Sequence, residues 1–158
     1  MVTGPFYVEG SRVLLPDAFQ FVFARELTRA VRLQNFLTLV VVEASRQSEG
    51  VMVSADDATL QELAQLISRE VREVDPLGQT EKGVLGMVLM DADYEHAMRV
   101  INRVVSRIDN FEFPTRLRIA ISVACYPTDA IDAESLRRQA MTRPVVWRGG
   151  IQLPTDRH

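Results

Sequence analysis

Apolar positions along the chain follow two spacings. In three stretches, which begin near residues 17, 54 and 94, apolar residues recur every three to four positions, and this spacing predicts helices. Three nearly continuous apolar runs of strand length predict buried strands over residues 37–42, 84–90 and 117–126. Because helices separate these strands, we expect an α+β protein with one central sheet that the helices cover.

Turn and capping residues place the ends of these elements. Asp17 and Ser54 are expected to cap the first two helices. The second helix is expected to run to Asp75, since the residue before a proline usually leaves the α region. Residues 45–54 are polar and include a glycine, so we expect a loop there. Residues 76–84 are expected to turn back as a hairpin, which makes the sheet mostly antiparallel.

The last part of the chain completes the predicted sheet. A short helix is expected from Asp132 to about Met141, and a final strand over residues 144–147 brings the sheet to five strands. Residues 149–158 form the predicted tail. Residues 137–158 hold five arginines and one aspartate, so this end is basic. We expect it to be either a solvated tail or a surface for an acidic partner.

Composition narrows the class of protein. With 158 residues, of which 47% are hydrophobic and 25% charged, the chain is expected to form a single domain over residues 1–158, with its core at about 13–148. The net charge of −3 gives no general attraction to nucleic acid, and no apolar run is long enough for membrane insertion. There is no signal-peptide pattern, and the single cysteine, Cys125, cannot form an intrachain disulfide. We therefore expect a cytoplasmic protein.

Two features each leave two interpretations open. Of the 18 basic residues, 17 are arginine and one is Lys82. This bias reflects either codon usage or a preference for phosphate and guanine edges, which the planar guanidinium binds with two parallel hydrogen bonds. Glu43 directly follows the first predicted strand, and it is either a ligand-binding carboxylate or simply the first exposed residue.

The element order and several residue strings together resemble the GGDEF domain of diguanylate cyclases over about residues 13–141. The string LTLVVVEAS resembles the family's first strand, which ends in a metal-binding Asp where this chain has Glu43. Arg72 and Asp75 match the family's RxxD element. The GG(D/E)EF position, which begins six residues after Asp75, holds Glu81-Lys82-Gly83-Val84-Leu85. The string IAISVACYPTD is similar to the family's ISIGVA-x-YP strand. The resemblance implies a GGDEF or nucleotide-cyclase-like sandwich.

The departures from the family imply a degenerate domain that is not an enzyme. In the family, two glycines let the hairpin backbone approach the nucleotide, and here Glu81 and Lys82 replace them. Gly83 stands at the metal-binding acid, Val84 at the glutamate that follows it and Leu85 at the phenylalanine. The run RQSEGVMVSADD lacks the family's FKxxND-like pattern, and MTRPVVWRGG replaces its AK-x-x-GR element. Two-metal phosphoryl transfer needs several converging oxygen ligands, so we expect no catalytic residue, no metal and no cofactor.

The RxxD match implies a ligand. In active members, this Arg and Asp form an inhibitory site for the product, cyclic di-GMP. Arg72 would hold a phosphate or the guanine Hoogsteen edge, and Asp75 would accept hydrogen bonds from guanine N1–H and N2–H. Arg103 lies near the position where the family often has a supporting arginine. The alternative is that Arg72 simply pairs with Glu73 or Glu70 on a helix surface.

Three functions therefore stay open. The leading hypothesis is a catalytically inactive regulatory module that is a candidate cyclic di-GMP receptor. The first alternative is a scaffold for protein interaction or homodimerisation that binds no nucleotide, with an exposed apolar patch or the basic tail as its contact surface. The second alternative is a residual GTP-binding or nucleotide-processing domain that uses Glu43 with Asp56 or Asp57.

Overall fold

The computed structural model describes residues 6–8 and 10–149. These residues form four helices and six strands, which lie in the following order along the chain: α1 (Pro16–Leu33), β1 (Leu37–Ser48), β2 (Val51–Ser54), α2 (Asp57–Ser68), β3 (Leu77–Glu81), β4 (Val84–Met90), α3 (Tyr94–Asp109), β5 (Leu117–Tyr126), α4 (Ala133–Thr142) and β6 (Pro144–Arg148). Among the described residues, no helix combines the length and the hydrophobicity that crossing a membrane requires.

The strands form one antiparallel sheet. Its main path has the five strands that the sequence predicts, in the order β3-β4-β1-β5-β6, and every pair along that path is antiparallel. The sixth strand, β2, pairs only with the outer end of β1, where Ser45 lies opposite Ser54. The predicted fold class, a mostly antiparallel sheet flanked by helices, is confirmed.

Two helices cover each face of the sheet. Successive residues of a strand point to opposite faces, and β1 divides its side chains in this way between two apolar clusters. Leu39 and Val41 pack with residues of α1 and α4, whereas Val40 and Val42 pack with residues of α2 and α3. All four are buried, so β1 lies at the centre of the core.

The prediction of a loop over residues 45–54 is wrong. β1 continues to Ser48, and the chain reverses at Glu49 and Gly50, which both have positive φ, before it returns as β2. Most side chains of this hairpin are exposed or half-buried, so its strands need few apolar residues. Their polar sequence therefore resembles that of a loop.

The predicted caps of the first two helices are also wrong. Pro16 is the first residue of α1, which places Asp17 within the first turn rather than at the cap. Ser54 still belongs to β2, so α2 begins only after Asp56, whose side chain accepts a hydrogen bond from the backbone N–H of Thr59 at 2.8 Å.

The second helix is shorter than predicted. α2 ends at Ser68, and eight residues of turns and irregular backbone connect it to β3. Val74, which the apolar spacing assigns to the buried stripe, is 67% exposed. Beyond the end of α2, backbone carbonyls that a longer helix would bond internally accept hydrogen bonds from Arg12 instead. Its guanidinium donates to the carbonyl oxygens of Arg72 and Asp75 at 2.7 and 2.8 Å.

The later elements agree with the sequence. β4 and β5 have the predicted bounds, and Asp132 caps α4 by accepting from the backbone N–H of Ser135. β6 completes the sheet beside β5. The predicted basic tail lies outside the described residues, apart from Gly149.

Candidate functional site

The predicted ligand residues Arg72 and Asp75 lie together in the turn between α2 and β3. The backbone N–H of Asp75 donates to the carbonyl of Arg72 at 3.0 Å, which closes the turn. The side chain of Asp75 is buried, and both of its oxygens are used. Oδ2 accepts from the backbone N–H and the Nε of Arg72, at 3.1 and 3.2 Å. Oδ1 accepts from Nη2 of Arg72 at 3.2 Å and from the backbone N–H of Met90 at 3.0 Å.

Arg72 has the opposite environment, since its side chain is 59% exposed. Its Nη2 also donates to the carbonyl of Met90 at 2.6 Å. The hydrogen bond to Asp75 raises the pKa of Arg72, so the guanidinium stays charged. Its Nη1 has no hydrogen-bond partner within the described part of the chain. Hydrogen bonds from the pair to Met90 therefore connect this turn to the end of β4. The Nη1 group of Arg72 stays available to a ligand.

Arg12 completes this turn, and the sequence does not indicate its role. It reaches four backbone carbonyls there, the two short contacts named above and longer ones at Ser68 and Val71. These bonds join residues about sixty positions apart, so local patterns in the sequence contain no signal for them. Predicting these bonds would require knowing which segments of the chain lie next to each other in the folded protein.

The third predicted ligand residue, Arg103, joins a different cluster. On α3, Arg103 and Arg107 both donate to the carboxylate of Glu70, and Arg103 does so at 3.0 Å. The hydrogen bond from Arg107, followed by that from Arg103, lowers the pKa of Glu70 against the opposing effect of burial. This cluster lines a cavity of about 500 Å³ to which neither Arg72 nor Asp75 contributes. The alternative pairing of Arg72 with Glu70 or Glu73 is likewise not formed, because its carboxylate partner is Asp75.

The hairpin tip between β3 and β4 carries the residues at the GG(D/E)EF position. The side chains of Glu81 and Lys82 are exposed, and neither forms an ion pair with another described residue. Val84 and Leu85 are buried at 2% and 1% exposure and pack on opposite faces of the sheet. These last two positions are thus part of the core.

Gly83 joins this tip to the β1–β2 hairpin. It has a φ of +77°, and its carbonyl accepts from the backbone N–H of Ala44 at 2.8 Å. A Cβ at this position would lie 2.8 Å from the Cβ of Ser54 and 3.0 Å from the carbonyl oxygen of Ala44. Only glycine fits here without displacement of the neighbouring strand. The end of β2 therefore presses directly against the tip.

Glu43, at the metal-binding position of the resemblance, lies in an open cavity of about 470 Å³ beside the tip. Glu81, Lys82 and Arg118 also line this cavity, together with Trp147, and the guanidinium of Arg118 lies 4.7 Å from the centre of the Trp147 indole. Across the described ranges, no group of three or more His, Cys, Asp or Glu side chains is arranged to hold a metal ion.

The two aspartates that could assist Glu43 are placed elsewhere. Asp56 is occupied as the cap of α2, and the hydrogen bonds from Thr59 lower its pKa. Asp57 lines another cavity, formed by α2, the segment before α1 and the β3–β4 hairpin. Neither aspartate therefore lines the cavity in which Glu43 lies.

Comparison with known proteins identifies the fold. The chain is similar to the crystal structure of a DGC protein from Thermotoga maritima, with a TM-score of 0.71 and 17% identity over 84% of this chain and 96% of that one. It is similar to the GGDEF domain of PA1120 (TpbB or YfiN) from Pseudomonas aeruginosa, with a TM-score of 0.71 and 18% identity over 85% and 84% of the two chains. The chain therefore has the fold of GGDEF domains.

Some solved structures with this fold hold a nucleotide. The GGDEF domain of DgcB from Caulobacter crescentus, solved in complex with c-di-GMP, aligns with a TM-score of 0.70 and 12% identity over 89% of this chain and 86% of that one. No family model matches the sequence. No curated protein matches it either.

Proposed function

We propose that this chain, which has the GGDEF fold, is a catalytically inactive regulatory module. The observation that carries the proposal is the contact between the hairpin tip and the β1–β2 hairpin. Gly83 is packed against Ser54 and bonded to Ala44, and Glu81 and Lys82 stand where an approaching nucleotide needs bare backbone. Of Glu43, Asp56 and Asp57, the carboxylates named in the nucleotide-processing alternative, Glu43 alone lines the cavity beside the tip.

Turnover of GTP tests the proposal. The chain is incubated with GTP and either Mg²⁺ or Mn²⁺, and the products are separated by liquid chromatography. We expect no cyclic di-GMP and no release of pyrophosphate above a blank without protein. Product that forms with the wild type and disappears with Glu43→Gln would overturn the proposal and favour the residual nucleotide-processing alternative.

Binding of cyclic di-GMP through Arg72 is a second candidate function. It is supported by the exposed guanidinium, whose Nη1 donors are open to a phosphate or a guanine edge, and by similar domains that were solved with this ligand. Asp75 weighs against a full guanine clamp, because all of its hydrogen bonds are made within the chain. We therefore propose a weak site in which Arg72 is the main contact.

Calorimetry separates this candidate from the scaffold alternative. Cyclic di-GMP is titrated into the wild type, into Arg72→Ala and into Arg99→Ala. Arg99 is the matched control because it is an arginine of similar exposure on α3, and its ion-pair partner among the described residues is Glu95. We expect heat with the wild type and with Arg99→Ala, and at least tenfold weaker binding with Arg72→Ala. No heat with the wild type at tens of micromolar ligand would leave the protein-interaction or homodimer scaffold as the better candidate.

A further inference from the structure

A cavity of about 450 Å³ lies between α1, α4 and the sheet, and neither Arg72 nor Asp75 contributes to it. Its volume falls within the range of about 300–1,000 Å³ that is typical of small-molecule pockets. The apolar lining comes from the core residues Phe19, Leu39 and Val41 and from Met141, whose side chain is 45% exposed. A ligand therefore finds an apolar surface to cover.

The mouth of the cavity carries charges of both signs. Arg137 donates from Nη1 to the side-chain oxygen of Gln20 at 2.9 Å, which links α4 to α1 through a neutral partner. Arg138 is near Glu134 at 3.8 Å, so these two charges offset each other. Within the described residues, Arg137 and Glu81 form no ion pair. The mouth therefore offers one guanidinium and one carboxylate to a ligand.

We propose that this cavity binds a free apolar α-amino acid. The carboxylate of the ligand pairs with Arg137, its ammonium pairs with Glu81, and its side chain covers Val41 and the base formed by Phe19 and Leu39. A zwitterion suits this mouth better than a simple anion or cation does, because each simple ion leaves one of the two charged residues unpaired. Glu81 also lines the cavity beside Glu43, but binding of an amino acid at this mouth does not require that the chain be catalytically inactive.

Three probes of similar size test the charge pattern. L-Phenylalanine carries both charges, 3-phenylpropanoate lacks the ammonium, and phenethylamine lacks the carboxylate. Each is titrated into the protein while the methyl resonances of Leu39, Val41 and Met141 are followed by NMR. We expect saturable shifts with L-phenylalanine, and at least tenfold weaker binding of both analogues, because each analogue loses one charged pair. Equal binding of the three probes, or no shift of these methyl groups, would overturn the proposal.

Variants of the exposed rim residues test the assignment of roles. Arg137→Ala is expected to weaken binding of L-phenylalanine at least tenfold but to leave binding of phenethylamine unchanged. Glu81→Ala is expected to do the reverse, with 3-phenylpropanoate as the insensitive probe. Arg99→Ala is the control and is expected to bind all three probes as the wild type does. Loss of affinity in the control equal to that in Arg137→Ala would mean that the effect is not local, and would contradict the site.

Discussion

The turn at Arg72 and Asp75 and the hairpin tip at Glu81 to Gly83 are neighbours in the sequence, but they are stabilised in opposite ways. In the turn, the buried carboxylate of Asp75 accepts four hydrogen bonds, so a side chain provides the stabilising contacts. At the tip, the side chains of Glu81 and Lys82 are exposed, and the backbone of a glycine makes the close contacts. The residues that match the family motif are thus the ones used for internal bonding.

This difference shows that a motif in the sequence does not by itself establish a ligand site. Asp75 stands at the position that the resemblance assigns to guanine, yet in this structure its acceptors are filled by the backbone and by Arg72. Arg72 is bonded on one side and open on the other. The two halves of one motif therefore differ in what they can offer a ligand. Four substitutions test the comparison.

Asp75→Asn is expected to have the largest effect on stability. The amide replaces one acceptor oxygen with a donor, which then faces the N–H groups of Arg72 or Met90 inside the protein. Leaving such donors buried and unpaired costs roughly 2–4 kcal/mol of unfolding free energy. Urea denaturation measures this loss. Asp57→Asn, at an exposed acid, is the control and is expected to change stability by less than about 0.5 kcal/mol. A small change in both variants would mean that the carboxylate does not hold the turn.

Gly83→Ala is expected to have the next largest effect. The new Cβ contacts Ser54 and the Ala44 carbonyl, and the residue must also keep a positive φ, so we expect a loss of roughly 2–3 kcal/mol. Gly50→Ala is the matched control, because Gly50 also has a positive φ but has nothing within 4 Å of the new Cβ. It is expected to lose only about 1 kcal/mol, from backbone strain alone. Equal losses in denaturation experiments would show that the tip is not packed against β2.

Glu70→Gln is expected to have an intermediate effect on stability, because Glu70 is mostly buried but its two arginine partners are exposed. The pKa of Glu70 lies below its usual value of 4.5, so its ion pairs stabilise the protein fully above that pH and lose this effect as the pH falls through the lowered pKa. We expect the variant to be about 1 kcal/mol less stable than the wild type at pH 7. That difference should shrink when urea denaturation is repeated in the acid range. A difference that grows on acidification would contradict the assignment.

Lys82→Ala is expected to have the smallest effect. The side chain is exposed and forms no ion pair with a described residue, so the unfolding free energy should change by less than about 0.5 kcal/mol. A loss above 1 kcal/mol would show that the tip depends on side-chain contacts, and the contrast with the turn would fail.

The sequence predicts the core of the fold well, because burial imposes a strict spacing on apolar residues. β4, β5 and α4 have the predicted ends or nearly so. The errors fall where polar contacts decide the structure. The end of α2 depends on Arg12, which is distant in sequence, and the β1–β2 hairpin depends on pairing with one edge of β1. Neither contact leaves a periodic signal.

The candidate site could be predicted only in part, for a related reason. The proximity of Arg72 and Asp75 follows from their spacing, but the burial of Asp75 does not, because its carboxylate bonds to Met90 of a later strand. Arg103 has a suitable position in the sequence, yet Glu70 holds it together with Arg107 in a separate cluster. Which carboxylate an arginine pairs with depends on distances in the folded protein, and the sequence does not give these distances.

Binding of a guanine nucleotide beside the hairpin tip is the most direct measurement of the central proposal, that Glu81 and Lys82 leave no room for a nucleotide at the cavity that Glu43 lines. A non-hydrolysable GTP analogue with Mg²⁺ is titrated into the wild type in a calorimeter, and Glu43→Gln and Lys82→Ala are measured in parallel. We expect no heat above dilution from any of the three proteins. Micromolar binding to the wild type that is lost in Glu43→Gln would contradict the account and identify this cavity as a working nucleotide site.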